Sequence, residues 1–74
     1  MFRINGEEWH ILATYQNHPK LKRRDGSYSV AACDDETKTI YIDKTLYGSF
    51  LKKVLAHEIT HAAMFSYNVD LSYD

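Results

Sequence analysis

One cysteine, one proline and three glycines in 74 residues leave this chain few ways to be stapled or sharply bent. Cys33 has no partner in the sequence, so an internal disulfide is excluded. A lone thiol fits a reducing compartment. Neither sign of charge dominates: nine Lys and Arg stand against ten Asp and Glu, for a formal net charge of -1. No global basic field exists to gather nucleic acid, and none is expected as a partner. No run of about 18 apolar residues occurs, so no membrane span is expected. The opening residues lack a charged segment followed by an apolar run, so no secretory signal is expected either. A cytoplasmic location is the reading that remains.

What the chain does have is enough for a single domain over residues 1–74. A core of this size rarely supplies more than about 3–5 kcal/mol, so a metal or a partner is the expected extra support. Phe2 to Ile4 and Trp9 to Tyr15 read as strands. Asn5-Gly6 between them is a two-residue hairpin signal, because both residues tolerate positive φ. Asn17 to Gly26 reads as a loop. Ser29 to Cys33 and Thr39 to Ile42 read as two further strands, separated by a turn at Asp34-Asp35-Glu36-Thr37. Ile40 and Ile42 share one face of the last strand, and Thr39 and Tyr41 the other. From Leu46 to Tyr67 apolar residues recur at three- and four-residue steps, which predicts a helix of roughly six turns. Asp43 or Thr45 is the expected N-cap and Asn68 the expected close. The fold class is therefore α+β: a small antiparallel sheet of about four strands followed by a long helix.

That helix carries His57-Glu58-Ile59-Thr60-His61, an H-E-x-x-H pattern. Residues four apart lie one turn above each other, so His57 and His61 can offer nitrogens to one zinc ion. Glu58 sits one step round and can act as a base toward water at that ion. On a wheel of about 100° per residue, Glu58 falls within the arc marked by Leu51, Val54, Ala62 and Phe65, and His61 and His57 lie within about 60° of its edge, which predicts that all three point inward. Polar groups buried without partners cost about 1–3 kcal/mol each, so a marginal domain needs something there to satisfy them. No charged residue other than Glu58 occurs from Val54 to Ala63.

The ten residues from Val54 to Ala63 resemble the extended signature of the zincin metallopeptidases. The order of elements, with Thr39-Ile-Tyr-Ile-Asp43 leading into the motif helix, is similar to the small ImmA/IrrE-like proteins often encoded by phages and mobile elements of bacteria. The segment Leu55 to Phe65 is also similar to the SprT-like branch. The resemblance implies a zincin-like fold and a zinc-dependent peptidase acting on a peptide or protein substrate. It implies His57 and His61 as metal ligands, Glu58 as the catalytic base, and an edge strand, here Ser29 to Cys33, that binds the substrate in extended form.

One departure concerns the third ligand, which such families take from beyond the helix. A catalytic zinc needs three protein ligands and an open position. The 13 residues after His61 hold no histidine and no glutamate, and their only carboxylates are Asp70 and Asp74. Three alternatives stand: Asp70 or Asp74 folds back, another chain supplies the ligand, or the sequence ends before the segment that carries it. The competing functional reading is a catalytically inactive metal-binding or protein-interaction domain.

The remaining features have plainer readings. Lys20-Leu-Lys-Arg-Arg24 reads as a solvated basic loop, Cys33 as a buried structural thiol, and Tyr67 and Tyr73 as packing residues rather than oxyanion donors. His10 and His18 are not expected to be ligands.

Overall fold

The computed structural model describes residues 2–67. Its elements are β1 (Phe2–Ile4), β2 (Glu7–Thr14), a 3₁₀ turn (Pro19–Leu21), β3 (Ala31–Asp34), β4 (Thr39–Asp43) and α1 (Gly48–Ser66). The Asn5-Gly6 turn joins β1 to β2 with φ of 50° and 81°, the left-handed pair that a two-residue hairpin requires. The four strands form one sheet in the order β1-β2-β4-β3, followed by the helix, and the class is α+β.

The sheet is mixed rather than antiparallel throughout. β1 pairs with β2, and β3 with β4, in antiparallel fashion, but β2 lies parallel to β4 with Ile11 opposite Ile40 and Ala13 opposite Ile42. Side-chain alternation fixes which face a residue takes and is silent on which strand lies beside it. The long connection after β2 lets the chain return in the same direction. It lays the 3₁₀ turn across the back of the sheet, where Leu21 is buried and His18 stacks on Tyr41 at 5.5 Å.

The front of the sheet meets α1. Trp9, Ala31, Ile40, Ile42 and Ala62 form the buried cluster, with Phe2, Ile4, Cys33, Leu51, Val54 and Leu55 packed against it. Full burial of a side chain such as Ile40 contributes about 1.5–3 kcal/mol. Ala62 is small enough to let the helix approach the strands closely, and it is fully covered. The last turn of α1 reaches the β1–β2 hairpin, where Asn5 Nδ2 donates to Ser66 O at 3.0 Å.

The helix begins differently from expectation. Tyr47 occupies the N-cap position and no side chain caps the first turn. The Asp43 carboxylate turns instead to the tight bend that follows β4, accepting from Thr45 N at 2.8 Å and Thr45 Oγ1 at 2.7 Å. Both bonds fall on Oδ1 of a buried residue. Asn68 lies outside the described residues. No described helix is long and apolar enough to cross a membrane.

Candidate functional site

His57, Glu58 and His61 lie on α1, and the helical repeat brings the two imidazoles together as the spacing predicts. Their Nε2 atoms are 3.0 Å apart, and the rings meet edge to face with centroids 4.6 Å apart. Nitrogens this close suit a cation about 2.0–2.1 Å from each, the usual zinc–imidazole distance. The donor set therefore fits two of the three protein ligands of a catalytic zinc. Among the described residues no group of three His, Cys, Asp or Glu side chains gathers around one point. Asp70, Asp74 and Tyr73 lie outside the described residues.

The inward orientation expected of the whole motif holds in part for Glu58 and His61 and fails for His57. Glu58 and His61 are partly covered, whereas His57 is exposed, and Phe65 is 46 % exposed. The cause is the angle at which α1 rests on the sheet. Leu51, Val54, Leu55 and Ala62 make the contact, which centres the buried arc on the side of Val54 away from His57. The histidines thus sit on the shoulder of the packed face, open to an approaching ligand.

Glu58 occupies the transition between core and groove. Burial raises its carboxyl pKa above the ordinary value, and the neighbouring His61 and then His57 pull it back. A carboxylate held in this way is a stronger proton acceptor than one in water, which suits a general base. Cys33 on β3 is close enough to feel the Glu58 charge. Its thiol is pushed up to about 12, first by burial and then by Glu58. A thiol so far from ionisation is a packing group, as the sequence suggested.

A groove of about 300 Å³ opens beside the motif, lined by His57, Glu58, Lys53 and Val54 from α1 and by Arg23 and the Ser29–Ala31 stretch opposite. Its far wall is the free margin of β3, the outermost strand on that side. Val30 O accepts from Asp43 N at 2.8 Å, so the alternate residues Ala31 and Cys33 turn their backbone groups away from β4 toward this margin. At Ala31 both groups are engaged by one side chain. Ser29 Oγ donates to Ala31 O at 2.7 Å and accepts from Ala31 N at 3.3 Å.

The sequence reading missed Arg23 as part of the site, because the balance of charge made the basic run look like a solvated loop. Nothing local marks Arg23 as a groove residue; only the return of the loop past β3 places it there. His10 and His18 lie elsewhere, His10 beside Glu8 at 3.2 Å and His18 against Tyr15 and Tyr41.

Comparison of the chain with protein-family models, with curated proteins and with solved structures gives no match.

Proposed function

We propose that the chain is a zincin-like, zinc-dependent peptidase, or the part of one that carries its base and two of its ligands. The observation that carries this reading is the convergence of the His57 and His61 Nε2 atoms at 3.0 Å beside a groove that Glu58 also lines. His57 and His61 would hold the zinc. When bound, zinc supplies Lewis acidity, acidifying water and polarising a carbonyl. Glu58 takes the proton from the attacking water and delivers it to the leaving amine. The margin of β3 receives the substrate as an added strand, and its backbone groups exchange their present partners for those of the peptide. The bonds from Ser29 Oγ to Ala31 must open for this, so the strand is capped until a peptide displaces the hydroxyl.

The test combines metal content with cleavage. Protein purified without chelator should carry about one zinc per chain, and His57→Ala or His61→Ala should lose it on desalting. Glu58→Gln should keep the metal and lose hydrolysis of a casein-like or peptide-library substrate. Failure of the unmodified chain to retain zinc would remove the proposal.

A second reading is supported by a specific observation: no third ligand joins the two histidines among the described residues. In that reading the chain is a metal-binding or interaction domain without catalysis. Zinc retention with no cleavage of any substrate, alone or with a partner chain present, would favour it.

A further inference from the structure

Two cations face one another across the candidate groove. Arg23 comes from the loop that follows the 3₁₀ turn, and Lys53 from the second turn of α1, one helical turn before His57. They are 30 positions apart in sequence and meet only because the loop returns past the free side of β3. Neither takes part in an ion pair among the described residues, where the pairs are His10–Glu8, Lys20–Asp34, Lys38–Glu7 and Lys38–Asp35. Asp25, two positions on, accepts from the Ser27 amide at 2.9 Å and the Ser27 hydroxyl at 2.6 Å, and its charge also feels Arg23, though the two form no ion pair. Among the described residues Glu58 is the single acid lining the groove.

The described lining of this cleft thus carries two cations against one acid, in a chain of net charge -1. Val30, Ala31 and Val54 give the same groove an apolar part. An extended peptide in this cleft would place a side chain beside a guanidinium on one wall and an ammonium on the other. A carboxylate is the group such a pair accepts, and Arg in particular offers it two parallel hydrogen bonds. A lysine or arginine side chain would meet like charge from Arg23 and Lys53, with Glu58 as the one opposite charge in the described lining.

We infer that Arg23 and Lys53 are specificity-determining residues that select peptides with a Glu or Asp side chain next to the scissile bond. The inference rests on the peptidase reading of the same groove. It also gives the Lys20–Arg24 run a role, since Arg23 is the member of that run which the fold turns into the cleft. The preference comes from exposed charges, so added salt screens it.

The experiment uses the full chain loaded with zinc and three fluorescent octapeptides that differ only in carrying Glu, Gln or Lys at the two central positions. Binding is followed by anisotropy and cleavage by chromatography of the same samples. The Glu peptide should bind about tenfold tighter than the Gln peptide, each exposed pair contributing a few-fold, and the Lys peptide should bind least. Arg23→Gln and Lys53→Gln should each remove part of the difference, and the double variant should equalise Glu and Gln. Both residues are exposed, and circular dichroism of each variant checks that the fold is kept. Equal affinities for the three peptides, no binding of any, or a preference that survives in the double variant would overturn the inference. Uncut peptides with the Glu preference intact would instead remove the peptidase reading and leave an acidic-peptide groove.

Discussion

The indole of Trp9 donates from Nε1 to Ser66 Oγ at 2.8 Å, joining the second strand of the first hairpin to the last turn of the helix. Trp9 is fully buried, and Ser66 O accepts a second bond from Asn5 Nδ2 at 3.0 Å. One serine therefore ties both ends of the described chain together. Ser66→Ala should leave the indole N–H without its partner and cost about 1–3 kcal/mol. Urea denaturation followed through the fluorescence of Trp9, the sole tryptophan, should show a lower midpoint with an unchanged slope. An unchanged midpoint would mean that the indole finds another acceptor.

Ser29 should act as a latch on the strand margin. Its hydroxyl engages both outward backbone groups of Ala31. Ser29→Ala frees them without adding bulk, so an incoming peptide no longer has to displace a neutral pair of bonds worth roughly 1 kcal/mol net. Peptide affinity should rise about fivefold, and kcat should stay as it is. Weaker binding in the variant would show that the hydroxyl contacts the peptide instead.

Cys33 should be unreactive while the chain is folded. Its thiol stands at about 12 against an ordinary 9.0, raised first by burial. The thiolate fraction at pH 8 falls on the order of a thousandfold relative to an ordinary thiol. Iodoacetamide labelling should be slow in buffer and fast in denaturing urea, with mass spectrometry as the readout. Rapid labelling of native protein would place the thiol in a more open setting than the structure gives it.

The Lys20–Asp34 pair predicts two slopes in stability against pH. The ammonium lies 2.8 Å from the carboxylate. The hydrogen bond from Lys20 holds the Asp34 pKa below 3.8, so this group stabilises the fold above that value and its contribution is lost as pH falls further. The same bond raises Lys20 above 10.5, so its contribution is present below that value and is lost as pH rises through the folded pKa. Lys20→Met should flatten both slopes and leave the intervening plateau slightly lowered. Chemical denaturation at a series of pH values measures this.

The hairpin, the strand faces and the helix were legible because each rests on local chemistry. Asn5-Gly6 announces its turn by backbone tolerance, Ile40 and Ile42 their shared face by alternation, and His57 and His61 their convergence by the helical repeat. The strand neighbours were not legible, because nothing in Ile11 or Leu12 says that β4 will lie beside them in parallel. The exposure of His57 was missed because a wheel gives angles around the helix but not the point at which the sheet touches it. Arg23 was missed for the same kind of reason. Its place in the groove depends on the whole path of the loop, and overall composition pointed the other way.

The parallel ladder between β2 and β4 has a kinetic consequence. Its ends are marked by His10 N donating to Lys38 O at 2.9 Å and Lys44 N donating to Thr14 O at 2.8 Å. Every rung joins residues separated by the intervening loop and β3, whereas the β3–β4 hairpin closes across a four-residue turn. Loop-closure entropy favours the local hairpin as the first event in refolding. Until β2 arrives, β4 presents an apolar rim that a second unfolded copy could occupy. Refolding yield is therefore expected to decline with protein concentration even though the finished fold hides that rim completely.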